Sequence, residues 1–311
     1  MGLRIRTNVA SLNAQRRLAE QTSKLQTTMA QLASGQRITK AADDAAGLAI
    51  SENLRADLRS LQQAQRNSLD GVSLVQVAEG GLEETSNMLV RLRELAIQSA
   101  SDTVGPTERG FIQKEYTALK DEIDRIANAT EFNGIRLLVG DGANKPSNLP
   151  AGRDIGADQS PFEIQVGIEF LPDQDALESK MPVNIIRIEL NGIDGYARGL
   201  GLGQSSDSDG TRVDSRDEAQ MSIDRVDKAI NKINDYRSYL GSVQNRLSNS
   251  IGNLGRHIEN LSEAKSRIMD TDFASASADY TQTMILQRAG TSILAQSNDL
   301  PQVALELVRG G

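Results

Sequence analysis

The amino-acid sequence predicts a mainly α protein: a long antiparallel helical coiled-coil bundle with a small β-hairpin-containing insert. Three observations carry that prediction. Val226, Ile233, Leu240, Leu247, Leu254, Leu261 and Ile268 recur every seven residues, with Ile223, Ile230, Ile251 and Ile258 as a second series three residues earlier. Two upstream segments carry apolar residues at alternating four- and three-residue spacing. Between about 141 and 215 the helical period disappears and Gly, Pro, Asn, Asp and Ser dominate.

The heptad series outlasts the three or four repeats that separate a coiled-coil seam from coincidence. At 1.5 Å per residue its helix would run roughly 70–80 Å. Partners for it lie upstream. Leu54, Leu58, Leu61, Val72, Val75, Leu82 and Leu89 share one ladder, and Ile112, Tyr116, Leu119, Ile123 and Ile126 form another. Gly71, Gly80 and Gly81 fall inside the first ladder, where each costs up to about 1 kcal/mol relative to Ala. Their presence there predicts close backbone packing.

Asn133-Gly134 is a hairpin-turn dipeptide, followed by the strand-like run Ile135 to Val139. Within the insert, Phe162, Ile164, Val166, Ile168 and Phe170 alternate as a half-buried strand does, and Ile186, Ile188 and Leu190 do so more briefly. The stretch Gln204 to Asp209 reads as a polar loop, and Asp207-Ser-Asp209-Gly210 lacks the ligand spacing and terminal Glu of a calcium loop.

Each end of the chain carries a thinner stripe. Ile5, Val9, Leu12, Leu18, Leu25, Met29 and Leu32 define one, and Leu286, Ile293, Leu300 and Leu307 the other. Pro301 is expected to kink or restart the last helix, because it has no amide hydrogen to donate. Residues 1–40 hold seven basic side chains against Glu20, whereas residues 272–311 hold four acids against two bases, so the ends are expected to pair. Lone amphipathic helices are marginal in water, so both ends are expected to order only against each other and against neighbouring copies. The predicted segments are 1–44 and 271–311 for the terminal helices, 45–140 and 216–270 for the two halves of the coiled coil, and 141–215 for the insert.

Composition narrows the function classes. With no Cys and only His257, a thiol nucleophile, a disulfide framework and a Cys-ligated zinc site are excluded, and no His-Glu-x-x-His occurs. No catalytic, cofactor or metal site is expected. A net charge of −8 argues against a nucleic-acid binder. No stretch is apolar enough to span a bilayer, and the start lacks the apolar core of a secretory signal. The basic, acid-poor start has a transit-peptide look and could also lie on a membrane surface.

The run Leu32-Ala-Ser-Gly-Gln-Arg-Ile38, continuing through Ala42 to Ile50, resembles the N-terminal signature of bacterial flagellins. Further matches follow in order at 67–71, 79–82, 91–99 and 132–134, then at 240–246, 285–292 and 294–301. The resemblance covers about three quarters of the chain, everything except the insert. In the signature, Gly35 reads as a helix stop, and Asp43 or Asp44 as the cap of the next helix.

The resemblance implies a flagellin-like fold and a subunit that polymerises into the flagellar filament for motility. It implies export through the flagellar type III apparatus, and as partners copies of the chain, the filament cap, the hook-junction proteins, an export chaperone and the export gate. It also implies a site for the vertebrate Toll-like receptor 5 at Arg91, Leu95 and Glu115, where Arg supplies a bidentate fork and Leu an apolar plug. The hook–filament junction protein is the rival reading within the same apparatus.

Overall fold

A computed structural model describes residues 8–141, 153–154, 161–169, 183–203 and 210–309, with backbone alone for 153–154 and 300–309. Ile5, Phe170, the 204–209 loop and the side chains of Leu300 and Leu307 lie outside that description. The described helices are α1 (Val9–Ser34), α2 (Ala45–Ser99), α3 (Pro106–Ala129), α4 (Arg216–Met269) and α5 (Phe273–Arg309). Short strands β1 (Glu131–Phe132), β2 (Ile135–Arg136), β3 (Arg153–Asp154), β4 (Phe162–Gln165) and β5 (Ile185–Ile188) lie between α3 and α4. The chain divides into two compact units, Met1–Leu58 with Glu259–Gly311 and Arg59–Ile258.

In the central unit, α2 runs antiparallel to both α3 and α4. Arg91 reaches Glu115 on α3, while Arg93 meets Asp227 and Glu79 meets Arg237 on α4. The seam between them is the predicted one. Val226, Ile233, Leu240 and Leu247 are fully buried, as are Tyr116 and Ile123, with Ile112, Leu61 and Leu254 nearly so. Leu119 is half-buried and packs against this core. At about 25 cal/mol per Å² of apolar surface, such complete burial makes these side chains the main source of the unit's stability.

Two of the three helical glycines have a packing reason. A Cβ on Gly81 would fall 2.5 Å from Thr130 Oγ1 and 2.8 Å from Leu138 Cδ1, and one on Gly71 would press on Ile164 and Leu247. Gly80 differs from the expectation, since nothing among the described residues lies within 4 Å of a Cβ there.

The hairpin forms at Asn133 and Gly134, whose φ angles of 52° and 75° are the positive values a two-residue turn with the right twist needs. Its strand β2 ends at Arg136, earlier than the sequence suggests. Leu137 to Val139 instead run as buried irregular chain, with Leu137 N–H donating to Thr130 O. Strand β4 is likewise shorter than its alternating pattern and pairs antiparallel with β5, Phe162 opposite Ile188 and Glu163 opposite Arg187. The chain leaves the ladder after Gln165 because Val166 and Gly167 N–H both donate to Asn184 O.

A turn over residues 190–203 is fixed onto α3 by polar groups. Gly195 N–H donates to Leu138 O and Ala197 N–H to Asp124 Oδ1 at 2.7 Å. The Lys120 ammonium, 3% exposed, donates to the carbonyls of Leu202 and Thr211.

In the terminal unit α1 and α5 pair antiparallel, Asn8 near Ser297 and Thr22 near Gln287. Helix α1 stops at Gly35, whose φ of 71° closes the helix through its N–H to Gln31 O. Helix α2 starts on Asp44, whose carboxylate accepts Gly47 N–H, while Asp43 accepts from Thr39 and Lys40 in the loop before it. Helix α5 does not restart at Pro301 but continues through it. The carbonyl that Pro301 cannot bond is that of Ser297, and the Asn8 amide side chain donates to it at 2.7 Å.

Candidate assembly site

The terminal helices meet through small polar side chains, which the sequence reading missed. Ser11 and Thr28 on α1 and Ala276, Thr283 and Ser297 on α5 are the buried residues of this pair. Thr28 and Thr283 turn their hydroxyls back onto the carbonyls of Lys24 and Asp279, four residues earlier, which satisfies the oxygen locally. Across the pair, Ser11 Oγ donates to Asn298 Oδ1 at 2.7 Å, Gln287 Nε2 donates to Thr22 Oγ1, and Leu18 lies 3.4 Å from where a Cβ on Gly290 would sit.

The apolar stripes mostly point elsewhere. Leu18, Leu25 and Leu32 are half-buried. Val9 is 54% exposed, Leu12 53%, Leu286 46% and Ile293 59%, and Met29 and Ile285 are equally open. The expected charge pairing of the ends is also different in form. Among the described residues no ion pair joins α1 to α5, because Arg16, Arg17 and Lys24 face solvent and Arg17 pairs with Glu20 on its own helix. Hydrogen bonds between small side chains take that role.

The breaks between helices are tied together within this unit. Arg37 donates through its guanidinium to Ile268 O at 2.8 Å and through its backbone N–H to Met269 O, and Thr271 N–H donates to Gly35 O. Arg37 therefore caps the C-terminal end of α4, with a cation at the negative end of the helix dipole. Asp272 caps the start of α5 through the Ala274 and Ser275 amides. The remaining seam positions of this unit, Leu54, Leu58, Leu261 and Ile268, are half-buried.

On the central unit, the Arg91 guanidinium donates from Nε and Nη2 to Glu115 Oε1 at 3.1 and 2.7 Å, and from Nη1 to Glu94 at 2.9 Å. The Glu115 hydrogen bond, followed by the one to Glu94, raises the guanidinium's pKa and keeps it charged. Leu95 is 1% exposed. It supports the helix from beneath, and Val90 and Ile97, each 48% exposed, supply the apolar surface beside Arg91 instead.

Chemistry-bearing groups are sparse. No group of three His, Cys, Asp or Glu among the described residues could hold a metal ion, and no described helix is long and apolar enough to cross a membrane. His257 sits exposed on α4. Among the described residues the one strongly perturbed acid is Asp124, held up at about 6 by burial first, with Asp121 and Asp194 adding to the rise and Ala197 N–H and Lys120 opposing it.

The family described as the bacterial flagellin N-terminal helical region matches residues 5–143, and that described as the C-terminal helical region matches 223–308. A flagellin of Bacillus subtilis is 41% identical over 99% of this chain and 100% of its own length. The flagellar filament 33 kDa core protein of Treponema phagedenis is 36% identical over 98% of this chain and 99% of its own. A crystal structure of Bacillus cereus flagellin, 32% identical, aligns with 61% of this chain and 88% of that one at a TM-score of 0.45.

Proposed function

The chain belongs to the bacterial flagellin family, and from that premise we propose that its terminal helices become fully ordered only when copies polymerise into the filament. As a member it is a structural subunit of the flagellar filament, which is extracellular, and not an enzyme. The observation that carries the proposal is the exposure of Val9, Leu12, Met29, Ile285 and Ile293 around a seam of Ser and Thr. A helix pair joined through hydroxyls gains little from association, while its outward apolar side chains, little more than half exposed, gain about 1–1.5 kcal/mol each once a neighbour covers them. The pair is thus built to be completed by other copies.

Weak ends also suit export in an unfolded state through the flagellar type III apparatus, with a chaperone covering the apolar faces until the export gate admits the chain. At the tip, the cap and the hook-junction proteins would bound the growing polymer. The Arg91–Glu115 pair, with Val90 and Ile97 beside it, is the surface we assign to Toll-like receptor 5. Its primary role is contact between copies.

Seeded elongation tests the assembly reading. Ile293→Asp is expected to leave the helical content of the monomer unchanged and to stop growth on filament seeds. Growth at the wild-type rate would overturn it. Arg91→Asp is expected to lower both elongation and receptor signalling, and signalling at full strength would remove the receptor assignment.

A further inference from the structure

Resting on the filament-subunit reading, we propose that the outer face of α2 in one copy docks on the outer face of α4 in the next, an acidic apolar ridge against a basic shallow surface. Leu69, Val77, Val90 and Ile97, between 39% and 50% exposed, line the side of α2 turned away from the core. Gly80 lies among them with nothing among the described residues within 4 Å of a Cβ. In mid-helix a glycine with no neighbour weakens the folded chain for no internal gain. A second backbone approaching there supplies the reason that the single chain lacks.

Charge selects the partner surface. From 67 to 90 the chain has four acids and no base, and from 236 to 258 three bases and no acid. Glu79 and Arg237 meet each other inside the chain, at 3.9 Å. That leaves Asp70, Glu83 and Glu84 exposed on α2, and Arg246 and Arg256 exposed on α4. The α4 face carrying these arginines is shallow: at Gly241, Gly252 and Gly255 nothing among the described residues lies within 4 Å of a Cβ, and Ser238, Asn245 and Ser248 complete the row. Protruding side chains with an acidic flank therefore meet low relief with a basic flank.

Repeated head-to-tail, the contact leaves the α4 face of each copy seated by its α2 open for the next, the arrangement that an open filament requires.

The test uses full-length chains and seeds sheared from wild-type filaments. Glu83→Lys with Glu84→Lys in one chain, and Arg246→Glu with Arg256→Glu in another, should each elongate at least tenfold more slowly, with circular dichroism and melting unchanged. Mixed together, the two variants should regain growth, since each offers the face that the other lacks. Gly80→Ala should raise the melting temperature of the monomer while slowing elongation. Single variants that elongate like wild type, or a mixture that stays inert although both chains are folded, would overturn the proposal. Wild-type chains that form no filaments, and so yield no seeds, would remove the filament reading beneath it, a failure recognisable without any variant.

Discussion

Single residues decide how closely the helices of the central unit approach. Gly81 sits where a methyl group would collide with Thr130 and Leu138, and Gly80, its neighbour, sits over open space. Gly81→Leu is expected to cost about 2–3 kcal/mol through overpacking, while Gly80→Ala gains about 0.5–1 kcal/mol. Urea unfolding of the two variants gives the comparison, and equal effects would mean that the packing around Gly81 is misassigned. Asp124 makes the second residue-scale prediction. Its folded form keeps a proton up to about pH 6, above the ordinary 3.8 of an unfolded Asp. Its contribution to stability is therefore fully present below the ordinary value and is lost as pH rises through about 6. Asp124→Asn should stabilise the central unit relative to wild type at pH 7 and lose that advantage progressively as pH falls through about 6 to below the ordinary 3.8. A difference in melting temperature that does not change with pH would rule out the raised acid.

At the scale of elements, specific polar contacts fix the helix ends of the terminal unit. Asn8 caps α1 by accepting Ser11 N–H and at the same time donates to the Ser297 carbonyl that Pro301 leaves open on α5. One side chain thus starts one helix and repairs another. Asn8→Ala is expected to cost about 1–2 kcal/mol in the assembled form, from the lost cap together with the reopened carbonyl. Thermal dissociation of filaments measures it. Arg37→Ala removes the cap on the last carbonyls of α4, and limited proteolysis should then cut residues 35–44 faster. An unchanged cutting rate would mean that the backbone bonds of Arg37 and Thr271 suffice alone.

The whole molecule is uneven in stability. The central unit holds the large, completely buried side chains, whereas the buried residues of the terminal helix pair are chiefly Ser, Thr and Ala. Hydrogen exchange of the monomer should therefore show residues 9–34 and 273–299 exchanging at least 100-fold faster than 74–96 and 226–247, a gap of about 2.7 kcal/mol at 25 °C. In filaments the gap should close. Equal protection of both regions in the monomer would contradict the account of the terminal unit as incomplete alone.

The sequence by itself determined the helices, their seam and their stops. A heptad of large apolar residues admits few arrangements, and Gly35, Asp44 and Asn133-Gly134 act through local geometry that needs no partner. Where the sequence reading went astray, the cause was distance along the chain. The terminal stripes read as a seam because apolar periodicity marks a face that wants covering without saying what covers it. In the structure Ser and Thr take the seam: the Thr28 and Thr283 hydroxyls are satisfied within their own helices, and the Ser11 hydroxyl reaches Asn298 across the pair. Leu95 read as a surface plug, yet it turns inward beneath Arg91. The Arg37 cap on α4 joins residues 231 positions apart, and only tertiary structure brings a guanidinium to those carbonyls. Local chemistry fixed the stop at Gly35, the start at Asp44 and the turn at Asn133-Gly134, and long-range packing chose which face of each element the protein keeps for itself.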